Sequence, residues 1–306
     1  MPPAISVLVL VGATATGKTE VGIEVARRLD GEIVSADSRA FFRGLDVVTA
    51  KPTSAERGRI PHHLINSVPT DGAYDAMAFR RDVARLVPEI AARGRIPILV
   101  GGGTLYLGSV LRGIFEGPAK DPKFRKSVAG EATHALHRRL HEVDPDAADA
   151  IHPNDRLRVV RALEVHSASG WPISRWQAEA RPLPYDFVTF GLRRERDDHR
   201  EAIEARVRRM IEDGLVDEVK RLRTGGLNEA AQAHRTIGIP EAVAYLAGDS
   251  TEAEMEEAIV HETWSLARRQ SAWFRRDREI AWLDATGRSV DDLATEIVVR
   301  WRERIG

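Results

Sequence analysis

The segment from Gly12 to Thr19 reads Gly-Ala-Thr-Ala-Thr-Gly-Lys-Thr and fits the phosphate-binding loop pattern G-x-x-x-x-G-K-S/T at every fixed position. The preceding residues 5–11 form a nearly continuous apolar run, which is typical of a strand buried on both faces of a parallel sheet. After the motif, apolar residues recur at helical spacing from Val21 to Leu29. The order of strand, glycine loop and helix predicts a polyphosphate-binding loop, and a chance match in an ordinary turn is the weaker interpretation.

The chemistry of this loop follows from its residue types. Glycines let successive backbone N–H groups turn inward around an anion, and the N-terminus of the following helix adds partial positive charge. Lys18 supplies a cation for the terminal phosphates, and the Thr19 hydroxyl can coordinate Mg²⁺, which we expect as the cofactor. The motif predicts a polyphosphate ligand but does not identify the group that is transferred.

Length and composition set limits on the fold and its partners. The 306 residues suffice for one large α/β domain with an insertion, or for two domains. A net charge of −1 excludes a global basic field, so any nucleic-acid site must be a local patch. The absence of cysteine excludes disulfides and thiolate chemistry and fits a cytoplasmic protein. We expect no signal peptide in Met1-Pro2-Pro3, and no apolar run is long enough to cross a bilayer.

Two further apolar segments predict parallel strands. Residues 32–36 end at Asp37, and residues 96–100 lead into glycines 101–103 and Thr104. Because the carboxyl ends of parallel strands line the ligand crevice, we expect Asp37 beside the phosphate loop, where it can hold a Mg²⁺-bound water or act as a base. A turn or capping aspartate is the alternative. The predicted fold class is α/β, with a P-loop NTPase-like parallel sheet flanked by helices.

The amino-acid composition of the middle of the chain differs from that of the flanking segments. Prolines and short helical pieces rich in Ala, His and Arg predict a small helical insertion domain over residues 116–186. Residues 1–115 and 187–306 then form the P-loop core domain with its C-terminal helices. Within the insertion, Arg158 and Arg161 share one helix face that can contact the phosphates of RNA, and a solvated charged face is an equally good interpretation.

The C-terminal half contains a second basic segment. Residues 268–276 interleave arginine with Trp and Phe. This composition suits RNA, which proteins bind through phosphate contacts and through stacking on unpaired bases. An RNA partner is therefore compatible with the near-neutral net charge.

Several ordered segments span nearly the whole chain. After the phosphate loop come residues 34–39, 49–53, 61–65, 94–97, 152–155, 161–164, 267–270 and 273–275. In this order they resemble the motifs of the tRNA dimethylallyltransferases, also called tRNA isopentenyltransferases. A phosphate loop alone is shared by many activities, whereas this ordered set is far more specific.

The resemblance implies a prenyl transfer. Dimethylallyl diphosphate would donate its five-carbon group to N6 of the adenine 3′ to the anticodon of tRNA, and diphosphate would leave. The expected partners are dimethylallyl diphosphate and the tRNA anticodon stem-loop, with no membrane, and we expect a cytoplasmic monomer. The adenine would be flipped into a channel that also excludes water from the reacting centre.

The resemblance also implies roles for individual residues. Asp37 would take a proton from the incoming amine, Lys18 and Arg206 would act on the diphosphate, and Thr19 would hold the metal. The diphosphate-binding residues it implies are Gly12, Ala13, Thr14, Ala15, Thr16, Gly17, Lys18 and Thr19. The tRNA-binding residues it implies are Asp37, Ser38, Arg39, Ala40, Gly103, Thr104, Arg158, Arg161, Arg235 and Arg269.

A few positions depart from the family pattern. Gly103 stands where the family has threonine, with Thr104 one place later, Ala40 replaces a usual glutamine, and Trp264 replaces a usual arginine. These departures fall on positions that face the RNA. We expect that a threonine at position 103 with a glycine at 104 would tighten the use of the acceptor.

Three other functions are compatible with parts of the sequence. An isopentenyltransferase acting on free adenine nucleotides needs neither the insertion nor the basic C-terminal segment. A P-loop kinase would be expected to have an acidic residue after strand 96–100, and none is present. A non-catalytic RNA-binding paralogue would not need the intact Lys18 and Asp37.

Overall fold

The computed structural model describes residues 4–306. Met1-Pro2-Pro3 lie outside the described residues, so the expectation of no signal peptide stays a prediction. No helix within residues 4–306 is both long enough and apolar enough to cross a membrane.

Strands and helices alternate through much of the chain. The strands are β1 (Ser6–Gly12), β2 (Gly31–Ser35), β3 (His62–His63), β4 (Ile96–Gly101), β5 (Asp186–Arg193) and β6 (Ala281–Asp284). The first helices are α1 (Lys18–Leu29), α2 (Ser54–Arg59), α3 (Ala76–Ala92), α4 (Thr104–Leu111), α5 (Pro122–Ser127), α6 (Thr133–Val143) and α7 (Pro145–Ala150). The later ones are α8 (Arg156–Ser169), α9 (Ile173–Ala178), α10 (Arg196–Glu212), α11 (Leu215–Thr224), α12 (Ile239–Ala247), α13 (Glu252–Phe274) and α14 (Val290–Ile305).

The six strands form one parallel sheet in the order β3-β2-β4-β1-β5-β6. β1 lies between β4 and β5, with Val9 paired to Leu99 on one side and to Thr189 on the other. Residues 7–11 of β1 are fully buried, as expected for a strand covered on both faces. The predicted α/β class with a parallel sheet and flanking helices is therefore confirmed, and the loops after β1, β2, β4 and β5 share one edge of the sheet.

A continuous apolar core holds α1 and α14 against the sheet. Leu8 and Leu10 of β1 contribute to it together with Val25 of α1, and Ile297 and Trp301 of α14 complete it. All five side chains are essentially inaccessible to water. Fully burying a large apolar side chain stabilises a fold by about 1.5–3 kcal/mol, so this core fixes the start of α1 and with it the phosphate loop.

The described chain divides into two compact units. One comprises the residues up to Leu107 together with Pro184–Gly306, and the other comprises Gly108–Leu183. The boundaries predicted from composition, 116 and 186, differ from these bounds. The two ends of the smaller unit already lie side by side before the amino-acid composition changes. The Leu183 N–H donates to the Val110 carbonyl over 3.0 Å.

The smaller unit has its own core, and one buried carboxylate lies beside that core. Apolar side chains of α6, α7, α8 and α9 pack together there. Glu164 of α8 is fully buried, and it accepts hydrogen bonds from Arg125 at 2.7 Å, Arg161 at 2.6 Å and the Asp121 N–H at 2.8 Å. Despite burial, which acts in the opposite direction, these donors lower the pKa of Glu164 from 4.5 to about 2.

This carboxylate predicts a pH dependence of stability. Because its pKa is lower in the folded protein than in the unfolded chain, the stabilisation is present above about pH 5 and is lost as the pH falls towards 2. The shift in pKa corresponds to a contribution of about 3 kcal/mol to the free energy of unfolding. In Glu164→Gln we expect a lower stability at pH 7 and a shallower loss between pH 5 and 2, measured by urea unfolding. Identical pH slopes for both proteins would contradict this assignment.

Candidate active site

The phosphate loop, residues 12–19, connects β1 to α1 and is folded tightly on itself. Gly17 caps α1 with a φ of +89°, a left-handed conformation that favours glycine, and Ala15 also has a positive φ of +61°. The Thr16 hydroxyl donates to the Ala13 carbonyl over 2.9 Å, and the Lys18 ammonium donates to the same oxygen. The loop therefore has the expected strand–loop–helix setting, with Lys18 held against its own backbone.

Two side chains from outside the loop hold the peptide groups of Thr14. Gln270 of α13 accepts the Thr14 N–H through Oε1 at 2.8 Å, and its Nε2 donates to the Gly102 carbonyl over 2.8 Å. His199 of α10 bonds the Thr14 carbonyl through Nε2 at 2.8 Å, so this nitrogen carries a proton. Burial lowers the pKa of His199, which favours the neutral ring. Trp264 packs edge-on against that ring, with ring centroids 5.6 Å apart, so it helps to hold the His199 ring in place.

Asp37 lies two residues beyond the end of β2. Its Oδ1 accepts the Arg39 N–H over 2.8 Å, which fixes the carboxylate in a short local turn. Arg39 in turn donates from Nη1 to the Gln232 carbonyl over 2.8 Å. The side chain of Asp37 remains exposed, while the neighbouring Ala40 is buried. The turn interpretation and the functional interpretation of Asp37 are thus compatible, because one carboxylate oxygen makes the turn.

Lys18, Arg206 and Asp37 share one electrostatic environment. Burial lowers the pKa of Lys18 to about 8, the negative charge of Asp37 opposes that shift, and the positive charge of Arg206 adds to it. Burial also lowers the pKa of Arg206, again opposed by Asp37. Arg206 is anchored by a hydrogen bond from Nη2 to the Thr49 carbonyl over 2.8 Å. The cations Lys18 and Arg206 can therefore bind a polyanion, and the Asp37 carboxylate beside them can act as a base.

The loop after β4 approaches the loop after β2 closely. The Gly103 N–H donates to the Ala36 carbonyl over 3.0 Å, and Thr104 begins α4. A Cβ atom at Gly103 would lie 2.5 Å from that carbonyl oxygen, which is closer than Cβ atoms come in real structures. The expectation that threonine at position 103 with glycine at position 104 tightens the use of the acceptor is therefore not compatible with this backbone.

Threonine at position 103 alone should have the opposite effect. Gly103→Thr should displace the Ala36 carbonyl and with it Asp37, lowering stability by about 1–3 kcal/mol and slowing turnover. The melting temperature and the turnover rate of Gly103→Thr are measured beside those of a control, Gly58→Thr. A Cβ at Gly58 meets nothing within 4 Å. An unchanged melting temperature in Gly103→Thr would contradict the close approach seen here.

These elements enclose one large cavity of about 1,220 Å³. That volume exceeds the 300–1,000 Å³ of ordinary small-molecule pockets, so there is room for a diphosphate and a nucleobase together. The sequence-predicted residues that line it are Thr14, Ala15, Gly17, Lys18, Thr19, Asp37, Ser38, Arg39, Ala40, Gly103, Thr104, Arg206, Arg235 and Arg269. Gly12, Ala13 and Thr16 lie in the same loop without lining the cavity.

The two arginines predicted on α8 have different environments. Arg158 is 73% exposed, with a 3.4 Å contact to Asp155. Arg161 is tied down by Glu164 and by the Pro118 carbonyl, to which its Nη2 donates over 2.7 Å. The role of either residue in RNA binding stays a prediction, and Arg161 has an evident structural role.

The adjacent histidines of β3 are occupied by protein contacts. His62 bonds the Ile60 carbonyl through Nδ1 at 2.7 Å, and His63 bonds Glu32 through Nε2 at 2.7 Å. Among the described residues 4–306, no three His, Cys, Asp or Glu side chains cluster as a metal site. Thr19, which lines the cavity, offers a hydroxyl oxygen of the kind that binds Mg²⁺ together with phosphate oxygens and water.

A protein-family model described as IPP transferase matches residues 40–277. The chain belongs to this family. It is 42% identical over 286 residues to tRNA dimethylallyltransferase 2 of Geotalea uraniireducens, with 92% of each chain covered. It is also 42% identical over 289 residues to the tRNA dimethylallyltransferase of Thermotoga petrophila, with 94% of each chain covered. The family resemblance drawn from the motifs is confirmed.

Solved structures of the IPP transferase family agree with this assignment. The tRNA isopentenylpyrophosphate transferase of Bacillus halodurans matches with a TM-score of 0.74 and 35% identity, covering 99% of this chain and 97% of the other. A eukaryotic dimethylallyltransferase crystallised while acting on tRNA matches with a TM-score of 0.80 and 26% identity, covering 93% of this chain and 75% of the other. The architecture is thus shared across nearly the whole chain.

Sequence reasoning missed four residues that organise this site. Gln270 and His199 hold the phosphate loop, Gln232 holds Arg39, and Glu218 binds the backbone of residues 46–48. Gln270 belongs to one of the matched motifs, so the motif could have pointed to it. The others look like ordinary polar residues of surface helices or loops, and only their burial and contacts distinguish them.

Proposed function

We propose that this protein transfers the dimethylallyl group of dimethylallyl diphosphate to N6 of the adenine 3′ to the anticodon in tRNA, with release of diphosphate. The observation that carries this proposal is the placement of Asp37 on the same cavity as Lys18 and Arg206, with electrostatic coupling among the three. The named relatives and the tRNA-bound structural neighbour support the same reaction. Because tRNA is a cytoplasmic substrate, we also place the reaction in the cytoplasm.

The phosphate loop would hold the diphosphate, which becomes the leaving group. Lys18 and Arg206 neutralise the charge that develops on the bridging oxygen as the allylic carbon–oxygen bond breaks. For this purpose Lys18 exchanges its bond with the Ala13 carbonyl for one with a phosphate oxygen. Mg²⁺, held by Thr19 and by phosphate oxygens, would supply further charge neutralisation when bound.

Asp37 would act on the nucleophile. As N6 of adenine forms its bond to the allylic carbon, one of its protons passes to a carboxylate oxygen of Asp37, and the electron pair of the broken bond leaves with diphosphate. The Arg39 N–H keeps Oδ1 of Asp37 in place, so the carboxylate meets the amine without reorganising. Exclusion of water by the bound RNA would protect the electron-poor allylic group.

Cations along the cavity wall would recognise the RNA, and Arg158 of the smaller unit is proposed separately as a phosphate contact. Arg235 and Arg269 are exposed and line the cavity, and Arg158 is exposed on α8. Contacts of this kind bind phosphates and position the anticodon stem-loop, while the flipped adenine is read inside the cavity. Monomeric function is sufficient for this arrangement, because every proposed catalytic residue belongs to one chain.

One labelling experiment tests the proposal. The protein is incubated with dimethylallyl diphosphate labelled in its prenyl carbons, together with unmodified tRNA, with AMP, or with neither. A separate incubation contains ATP and the same acceptors. We expect label in the tRNA, at the adenosine next to the anticodon, and none in AMP. Label in AMP alone would favour a transferase acting on free nucleotides. No label in any acceptor would leave an RNA-binding role, and ATP-dependent phosphorylation of an acceptor would favour a kinase.

A further inference from the structure

The buried carboxylate of Glu218 binds the backbone of the loop that contains Thr49, whose carbonyl accepts a hydrogen bond from Arg206. We call residues 46–50 the clamp loop. Glu218, in the first turn of α11, is 4% exposed. Its Oε2 accepts the N–H groups of Asp46 at 2.8 Å and Val47 at 2.9 Å, and its Oε1 accepts the N–H of Val48 at 2.9 Å. Three successive backbone donors thus converge on one buried negative charge.

Lys51, the residue that follows the clamp loop, also binds it through Asp46. The Lys51 side chain is 2% exposed, and its ammonium donates to the Phe42 carbonyl at 2.6 Å, to Asn66 at 2.7 Å and to Asp46 at 3.0 Å. A buried carboxylate and a buried ammonium therefore both contact Asp46, at the start of the clamp loop.

The conformation that results is strained at one residue. Ala50 has a φ of +46°, in the left-handed region that residues other than glycine rarely adopt. The carbonyl of the residue before it, Thr49, receives the hydrogen bond of Arg206 at 2.8 Å. Strain next to a functional contact persists only where the surroundings fix the backbone, and Glu218 supplies that constraint.

We infer that Glu218 is a positioning residue for Arg206. By binding the clamp loop, it sets the Thr49 carbonyl where it orients the Arg206 guanidinium towards the diphosphate. Glu218 touches neither substrate, so its effect passes through Arg206. The inference rests on the proposed function in one respect, namely that Arg206 binds the diphosphate.

The competing explanation is that Glu218 only stabilises the fold. A buried carboxylate with three backbone partners is costly to remove, since three N–H groups lose their acceptor. Loss of a purely structural residue lowers the stability of the protein and weakens every function of the site to the same degree. A positioning residue has no effect once the residue that it positions is absent, and this difference decides between the two.

The test is a double-mutant cycle with inorganic diphosphate and Mg²⁺ as the probe, measured by calorimetric titration. Glu218→Gln keeps the size of the side chain but replaces one acceptor oxygen by a donor. We expect about tenfold weaker diphosphate binding for Glu218→Gln in the wild-type background and less than twofold in the Arg206→Ala background. The matched control is Asp217→Asn, the exposed neighbour on α11, which should bind as the wild type does.

Other outcomes are equally informative. Equal weakening in both backgrounds would overturn the inference in favour of a structural role. If Glu218→Gln fails to fold, Glu218→Asp keeps the charge at a shorter reach, and the same cycle applies to it. A wild type that binds diphosphate but does not prenylate tRNA would overturn the proposed function and leave this inference standing. A wild type that binds no diphosphate would overturn the inference itself.

Discussion

Replacing Asp37 by alanine should slow prenyl transfer to tRNA by about 10²–10⁴-fold, because the transition state then lacks its proton acceptor. Binding of tRNA should change by less than twofold, since the cations that we propose as contacts for the RNA phosphates are untouched. Single-turnover rates with saturating protein give the first quantity, and filter binding gives the second.

The asparagine variant separates the two roles of this residue. Asp37→Asn retains a side-chain oxygen that can accept the Arg39 N–H, so the local turn survives while the base is lost. We expect it to be nearly as slow as Asp37→Ala. Asp71→Asn, an exposed position outside the cavity, serves as the control. Turnover close to the wild-type rate in Asp37→Asn would remove Asp37 from its role as base.

Replacing Lys18 by alanine should lower the rate of transfer by about 10²–10³-fold, because a cation beside the departing diphosphate is lost. The residue also predicts a pH dependence. Its pKa is lowered to about 8, so the charged form that attracts diphosphate predominates below pH 8 and is lost as the pH rises through that value. Affinity for inorganic diphosphate should therefore fall above pH 8 in the wild type.

Inorganic diphosphate also titrates in this pH range, and a comparison with Lys18→Ala separates the titration of Lys18 from that of the ligand. The ratio of the wild-type to Lys18→Ala affinities should shrink as the pH rises from 7 to 9.5, measured by calorimetry. Lys220→Ala removes an exposed lysine of α11 and should leave both the rate and the pH profile unchanged. A constant ratio across this range would contradict the lowered pKa of Lys18.

Much of the fold could be predicted from the sequence because its signals are local. The apolar run of β1, the glycine loop and the helical spacing of α1 specify one supersecondary unit, and the buried runs before Asp37 and Gly101 predicted two further parallel strands. The carboxyl-edge rule then placed Asp37 on the same side of the sheet as Lys18. The structure places both residues on one cavity.

The parts that could not be predicted depend on contacts between distant segments. Nothing local distinguishes Glu218 from a solvated acid in the first turn of a helix, where acids are favourable anyway. Gln270 reaches Thr14 across 256 residues of sequence. The close approach at Gly103 depends on the Ala36 carbonyl of another strand's loop. The sequence also offers no way to distinguish Arg158 from Arg161, because only the folded chain shows that Arg161 forms an ion pair with the buried carboxylate of Glu164.

The most direct test of the central claim is a crystal structure with an inert thio-analogue of dimethylallyl diphosphate and an unmodified anticodon stem-loop. We predict the diphosphate on residues 12–19 in contact with Lys18 and Arg206, and the flipped adenine with N6 about 3 Å from the Asp37 carboxylate. An adenine bound away from Asp37, or a diphosphate bound outside this loop, would contradict the account.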